Sequence, residues 1–219
     1  MDVNSYMSTD LITIGPQTKI LDALDLMKKH QIHRLPVVKG DQLIGLLTDG
    51  VISRNTPSTM TSLDMHEVNY LLNKTNAEDI MVKKVITVHK DALLEEAAVL
   101  MRQNSIGVLP VVTGEGHLVG IITDKDIIDA FVDVLGFYKP GVRVVVNVLQ
   151  DRKGVLEELT DIFSELEISI QQIAVYRKQT PIQVVIQVES DDVAGIKKEL
   201  EANGFEVGSI MFKEIAPPK

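Results

Sequence analysis

Two segments of the chain place hydrophobic residues at the spacing of an amphipathic helix, residues 19–30 and residues 91–104. The apolar positions are Leu21, Leu24 and Met27 in the first segment and Leu94, Ala98 and Met101 in the second. Steps of three or four residues put such positions on one face of a helix. Short apolar runs typical of strands, LITI and VITV, precede the two segments, and LPVV follows each of them. A further helix is predicted to begin at Asp49 and at Asp124, because acidic residues are favoured at the positive end of a helix.

These two segments belong to an internal repeat. A shift of 74 residues pairs the LPVV of residues 35–38 with the LPVV of residues 109–112, and a shift of 75 pairs LIGLLTD with LVGIITD. A repeat this regular indicates two copies of one supersecondary unit, each in the order β-α-β-β-α. The residues between the copies carry a helical pattern that predicts a connecting helix. The apolar positions of that pattern are Leu63, Val68, Leu71 and Leu72.

The pattern changes after the turn signal Pro140-Gly141. A strand, a helix, two strands, a helix around residues 193–203 and a last strand follow, which is the ferredoxin-like order β-α-β-β-α-β. The predicted fold class is therefore α+β, an α/β sandwich. We divide the chain into a first copy with its connecting helix, a second copy, a linker and a third domain. The boundaries are 1–75, 76–135, 136–141 and 142–215.

Composition narrows the function classes. The chain has 219 residues and a formal net charge of −9, which disfavours a nucleic-acid partner because duplex binding normally needs a basic surface. The absence of cysteine excludes disulfides and Cys-ligated zinc. No apolar run reaches the roughly 18 residues of a membrane span, and the first residues show no signal-peptide pattern. We expect a cytoplasmic protein.

The repeated motifs resemble a known family. YMSTDLITI, HRLPVV and GLLTD in the first copy, and IMVKKVITV, GVLPVV and GIITDKD in the second, resemble a tandem pair of CBS domains, or Bateman module, over about residues 3–134. The resemblance implies that an adenine nucleoside or nucleotide binds in the cleft between the copies. It also implies that an Asp at the end of a Gly-h-h-Ser/Thr-x-x-Asp motif, where h is apolar, holds the ribose.

The family motif is complete in one copy alone. In the second copy Thr123 and Asp126 fit it, whereas in the first copy Thr48 fits and Val51 stands where the ribose Asp is expected. A carboxylate suits the two hydroxyl donors of a ribose, and a hydroxyl at a helix N-terminus suits a phosphate. Asp124 is a weaker candidate for a ligand contact, because its position also suits a helix cap.

The residues around the start of LPVV also differ between the copies, and here the first copy carries the candidate ligand contacts. The first copy carries His33 and Arg34, which in the family reach phosphates, and the second carries Gly107 and Val108. We therefore predict one composite site, with Asp126 on the ribose and Thr123, His33 and Arg34 on the phosphate, and a second site beside Val51 that is weaker or empty. The full set of predicted nucleotide contacts is Thr13, His33, Arg34, Thr48, Val108, Thr123, Asp124 and Asp126. The alternative is that His33 and Arg34 are solvated and that the acidic residues cap helices.

The third unit resembles a second regulatory family. QDRKGVLEELTDIFSE and EISIQQI resemble an ACT domain, whose loop holds the ammonium group of an amino acid in many members. The resemblance implies contacts from Asp151 and Gly154, with Ser169 where some amino-acid binders place Asn. Asp151 also fits the simpler role of a turn residue with a helix N-terminal charge, and many ACT domains mainly dimerise.

The order of modules resembles the AcuB-type proteins, named for acetoin utilisation. Three functions compete: a ligand sensor, an enzyme and a scaffold that only dimerises and binds a partner. The chain has no Walker loop, GxSxG or HExxH motif, and its five histidines lack metal-binding spacing. We therefore expect a non-catalytic regulator without metal or catalytic cofactor, which binds AMP, ADP, ATP or S-adenosylmethionine, forms a homodimer and controls a protein that the sequence does not identify.

Overall fold

The structure of the chain is a computed structural model that describes residues 1–55, 71–177 and 180–214. It divides into two compact units, Met1–Ile127 and Ile128–Lys219. The predicted connecting helix lies largely outside the described residues, including Leu63 and Val68, while residues 71–74 are helical. The four-part division of the chain stays a prediction. No helix within the described ranges has the length and apolar character that a membrane crossing requires.

The described part of the first copy begins with a 3-10 helix (Val3–Ser5) and is built around a hairpin flanked by two α-helices. Its elements are α1 (Ile20–His30), β1 (Arg34–Lys39), β2 (Gln42–Thr48) and α2 (Asp49–Asn55), followed by the short helix α3 (Ala77–Ile80). Helix α1 buries Ile20, Ala23 and Met27 against the hairpin. Of the predicted apolar positions Met27 is buried, while Leu21 and Leu24 are half-buried. It ends at Gln31, whose left-handed backbone (φ 54°) lets its N–H bond back to the last turn.

The second copy repeats this architecture. Its elements are β3 (Val88–His89), α4 (Leu94–Asn104), β4 (Val108–Val112), β5 (Leu118–Thr123) and α5 (Asp124–Val134). Helices α2 and α5 begin at the predicted residues. The first predicted strand, LITI, is wrong in extent, since it forms a single bridge between Ile14 and Val37. Gly15 and Pro16 follow at once, and proline has no N–H with which to extend the ladder.

The segment at the start of each copy pairs with a strand of the other copy. Ser8 forms an antiparallel bridge with Ile121 of the second copy, and Val82 forms the equivalent bridge with Leu46 of the first. At each crossing a methionine side chain lies directly on a glycine of the partner strand, Met7 on Gly120 and Met81 on Gly45. This exchange brings the start of each copy to the end of the other, where the predicted site residues lie.

The second unit is a ferredoxin-like sandwich. Its elements are β6 (Gly141–Val148), α6 (Val155–Glu165), β7 (Ile170–Tyr176), β8 (Ile182–Val188), α7 (Val193–Ala202) and β9 (Glu206–Lys213). The sheet is antiparallel with the order β7-β8-β6-β9. Alternate valines of β6 and β8 face the core with residues of α6 and α7 such as Phe163 and Leu200. The predicted β-α-β-β-α-β order is thus confirmed.

The residues that follow α5 are held by two cations of this sheet. The guanidinium of Arg143 donates to the carbonyl oxygen of Leu135 at 3.1 Å. The ammonium of Lys213 donates to the carbonyl oxygens of Gly136, at 3.2 Å, and Phe137. Burial, with a smaller contribution from the Arg143 charge, lowers the pKa of Lys213. Cations are favourable at a helix C-terminus, so these contacts stabilise the end of α5.

Candidate functional site

The first of two clefts lies where the end of the second copy meets the start of the first. We call it the Thr123 cleft; its volume is about 300 Å³. Its polar lining is Ser8, Asp10, His33, Arg34, Thr123, Asp124 and Lys125, and its apolar lining includes Ile12, Val108 and Ile121. The structure therefore brings Thr123 and Asp124 of the second copy together with His33 and Arg34 of the first.

Asp126 does not line this cleft, but it is bonded to Thr123, which does. Its Oδ2 accepts hydrogen bonds from the backbone N–H of Thr123 at 2.7 Å and from the Thr123 hydroxyl at 2.8 Å. Both bonds fall on one carboxylate oxygen, and Oδ1 has no partner among the described residues. Asp126 therefore fixes the Thr123 side chain at the cleft wall and keeps one acceptor oxygen open.

His33 and its counterpart in the second copy, Gly107, differ in how they contact the aspartate that begins the following helix, Asp49 or Asp124. The His33 Nδ1 lies 2.6 Å from Asp49 Oδ2, while 75% of the ring side chain stays exposed. A Cβ atom at Gly107 would lie only 2.9 Å from Asp124 Oδ2. Glycine thus leaves room for the Asp124 carboxylate, whose hydrogen bond within the described residues comes from the Lys125 N–H at 3.0 Å.

The second cleft is the counterpart of the first under the repeat. We call it the Thr48 cleft; its volume is about 500 Å³. Its lining combines the end of the first copy with the start of the second, and its polar and charged members are His33, Arg34, Thr48, Asp49, Arg54, Lys84 and Ser105. The Thr48 hydroxyl accepts from the N–H of Val51 at 3.2 Å. The residue equivalent to Asp126 in this copy is Val51, a buried valine. The Thr48 cleft therefore has no carboxylate at that position.

Arg34 stands between the two clefts. It is the first residue of β1, it is half-buried, and it lines both the Thr48 cleft and the Thr123 cleft. Its Nη2 would lie 3.5 Å from a Cβ atom at Gly107, on the strand segment of the opposite copy. Across the described ranges, no hydrogen bond or ion pair engages its guanidinium. A half-buried cation without a partner is poised to bind an anion.

Thr13 takes no part in either cleft. It is exposed between Ile12 and Ile14. Its position as a nucleotide contact stays a prediction, as do the roles of the other candidates.

A third cleft, of about 340 Å³, lies at the predicted ligand loop of the second unit. Asp151 and Gly154 line it, and Ser169 does not. Asp151 is already in an ion pair with Arg177. Arg152 donates two hydrogen bonds to Glu158, at 2.5 and 2.6 Å, which hold the pKa of that carboxyl below its usual range. A ligand ammonium at Asp151 would therefore have to compete with Arg177.

Two families match this chain, one over the repeated first part and one over the ferredoxin-like domain. The sequence model of the CBS domain matches residues 3–55 and 77–133, which together make up half of the chain. The chain belongs to the CBS-domain family. The model of the ACT domain matches residues 142–205. A pair of CBS domains followed by an ACT domain is the predicted organisation.

One curated relative of the CBS pair is a long enzyme. Inosine-5'-monophosphate dehydrogenase from Thermoplasma acidophilum is 36% identical over 119 residues. The match covers 54% of this chain and 21% of the enzyme, so the chain spans about a fifth of the length of that relative.

Two solved structures share the CBS fold over most of their own length. CBSX2 from Arabidopsis thaliana, solved in complex with AMP, is 28% identical with a TM-score of 0.50, over 61% of this chain and 97% of that one. A Vibrio cholerae protein assigned to acetoin utilization (AcuB) is 28% identical with a TM-score of 0.52, over 63% and 94%. The second similarity agrees with the AcuB-type resemblance.

Five charged lining residues of the CBS clefts are not among the contacts predicted from the sequence. They are Asp10 and Lys125 in the Thr123 cleft and Asp49, Arg54 and Lys84 in the Thr48 cleft. One signal was available, because Asp10 and Lys84 are paired by the 74-residue repeat and carry opposite charges. Within the described part of the chain, no three His, Asp or Glu side chains group in a way that could hold a metal ion.

Proposed function

We propose that this chain is a non-catalytic regulatory protein whose CBS pair senses an adenine nucleotide or nucleoside in the Thr123 cleft. The observation that carries the proposal is the guanidinium of Arg34, which has no partner among the described residues and lines, with Thr123, a cleft built from both copies. The AMP complex of CBSX2 supports an adenine ligand. AMP, ADP, ATP and S-adenosylmethionine share the adenosine group that the cleft would hold.

The proposed contacts follow from the chemistry of each side chain. Arg34 donates to the phosphate as a fork of N–H groups, and the Thr123 hydroxyl adds a hydrogen bond at the N-terminus of α5. Asp126 does not line the cleft itself, so we place the ribose beside Thr123, where Oδ1 of Asp126, which has no partner among the described residues, would accept from the ribose hydroxyls. The apolar side chains of Ile12 and Ile121 flank the adenine.

The proposed mechanism is a shift between two arrangements of the CBS pair. A ligand that contacts both copies stabilises the arrangement it binds better, and only by its differential affinity. Helix α5 begins beside the cleft, and the carbonyls beyond its end are held by Arg143 and Lys213. The change would pass along α5 to the ACT domain, to a homodimer partner, or to a cytoplasmic target in a pathway such as acetoin utilisation.

An amino acid at the ACT cleft is the second ligand in this proposal. Its ammonium group would replace Arg177 at the Asp151 carboxylate. The nearby Arg152–Glu158 ion pair, at the start of α6, is exposed. It therefore adds little to the stability of the ACT domain, because water screens exposed ion pairs strongly.

The test is isothermal titration calorimetry of the full chain with AMP, ATP, S-adenosylmethionine and a set of amino acids. We expect saturable nucleotide binding near one per chain. Asp126→Ala should weaken that binding by about 1–3 kcal/mol, because a charged hydrogen-bond acceptor is lost. Asp126→Asn keeps an acceptor for Thr123 and should lose less, and the exposed Asp129→Ala on the same helix should lose nothing. Equal affinity of Asp126→Ala and wild type would reject the ribose contact.

A scaffold without a ligand is the alternative function. Helix α5 exposes Ile128 (59%) and Phe131 (62%), large apolar side chains that typically mark a contact surface. No heat and no thermal shift with any nucleotide or amino acid would favour this alternative.

A further inference from the structure

The two CBS clefts share two candidate phosphate-binding side chains, His33, which is bonded to Asp49, and Arg34. Arg34 lines both clefts, and no described residue binds its guanidinium. The position equivalent to Arg34 in the second copy is Val108, which also lines both clefts and carries no charge. The repeat therefore supplies two clefts with one arginine at their junction, where a symmetric pair would supply two.

The clefts also differ in the charges that surround this arginine. In the Thr48 cleft Arg34 is joined by Arg54 and Lys84 against the single carboxylate of Asp49. In the Thr123 cleft the cations Arg34 and Lys125 face Asp10 and Asp124. The first lining has an excess of positive charge, and the second is balanced when histidine is neutral.

We propose that the clefts bind phosphate-bearing ligands antagonistically through Arg34, with the Thr48 cleft selective for polyphosphate groups and the Thr123 cleft for adenosyl ligands of low charge. This inference rests on the proposed nucleotide function. When a polyphosphate in the Thr48 cleft engages Arg34, the Thr123 cleft loses its main phosphate donor. An uncharged nucleoside in the Thr123 cleft does not need Arg34 and is unaffected.

The physical reason is the geometry of the guanidinium group. Arginine binds a phosphate most strongly through two parallel N–H donors, so one side chain cannot offer that fork to two phosphates in different clefts. The coupling must be reciprocal, because both ligands bias the same side-chain equilibrium. AMP in the Thr123 cleft is expected to weaken polyphosphate binding by the same factor.

The experiment measures adenosine and AMP affinities of the full chain by calorimetry, with and without saturating inorganic tripolyphosphate, at fixed ionic strength and without divalent cations. Fixed ionic strength removes general screening as a cause. We expect tripolyphosphate to weaken AMP binding by about tenfold, the size of a lost charged hydrogen bond, and to leave adenosine binding unchanged.

Three variants identify the route of the coupling. Lys84→Gln should weaken tripolyphosphate binding while AMP alone binds normally; the neighbouring Lys83→Gln, outside both clefts, is its control. Arg34→Gln should weaken AMP but not adenosine, and should abolish the effect of tripolyphosphate on AMP. Arg102→Gln, an exposed arginine on α4, is the control for Arg34→Gln.

Each contrary result has a separate meaning. If adenosine and AMP both fail to bind, the proposed nucleotide function fails and this inference with it. If both bind and tripolyphosphate leaves AMP affinity unchanged, the antagonism is rejected and the nucleotide function stands. If the antagonism persists in Arg34→Gln at saturating tripolyphosphate, the cause is charge repulsion or direct competition, and the shared role of Arg34 is rejected.

Discussion

At the scale of single residues, the two CBS copies differ most at the position just before their first long strand. His33 reaches Asp49 of its own copy, whereas Gly107 leaves the Asp124 carboxylate close to the strand segment. The next position holds Arg34 in one copy and Val108 in the other. These two differences contribute to the asymmetry of the two clefts.

Gly120 gives a residue-scale prediction about stability. A Cβ atom there would overlap the Met7 side chain, so Gly120→Ala should destabilise the CBS pair by about 1–3 kcal/mol, the usual cost of overpacking. Urea unfolding measures the change. Gly114→Ala is the matched control, because a Cβ atom at Gly114 meets no heavy atom within 4 Å. Equal stability of Gly120→Ala and wild type would mean that Met7 moves aside freely. Recovery in Gly120→Ala with Met7→Ala would locate the strain.

At the scale of elements, the first residues of α2 and α5 determine which polar groups lie beside the adjoining cleft. In α5 the third residue is Asp126, whose Oδ2 accepts from the backbone N–H and the hydroxyl of Thr123. In α2 the third residue is Val51, which is buried in the core of the first copy. The same helix position thus serves a polar role in one copy and packing in the other.

Helix α7 of the ACT domain gives the prediction at this scale. Asp192 caps its N-terminus by accepting from the Gly195 N–H at 2.8 Å. Asp192→Ala should lower the free energy of unfolding by about 1 kcal/mol, because an N–H of the first turn loses its partner. Thermal unfolding followed by circular dichroism measures the loss. Asp191→Ala, whose side chain makes no cap bond, is the control, and an equal loss in both variants would contradict the capping role.

At the scale of the whole molecule, the proposed signal passes through the residues after α5. Hydrogen exchange followed by mass spectrometry, with and without AMP, tests this route. Saturation at 100 times the dissociation constant should stabilise the CBS pair by about 2.7 kcal/mol, which slows exchange within residues 1–127. We also expect slower exchange in residues 135–148, if the ligand state reaches the ACT sheet.

Removing the contact between Arg143 and the Leu135 carbonyl should prevent the effect of AMP from reaching the ACT sheet. In Arg143→Gln, AMP should still slow exchange in the CBS pair but no longer in residues 135–148, because the Leu135 carbonyl loses its donor. Lys139→Gln, an exposed cation of the same segment, should behave as wild type. An AMP effect on the ACT sheet that survives Arg143→Gln would show that the signal does not need this contact.

The sequence by itself determined the elements, the repeat and the order of modules, because helix and strand periods are local and a repeat is visible in the letters. It also placed Thr123 and Arg34 among the candidates through motif positions. The tertiary structure decided that Arg34 lines two clefts and that Asp151 forms an ion pair with Arg177. Such contacts depend on how distant strands interlock and which way each side chain turns, and neither follows from a local pattern.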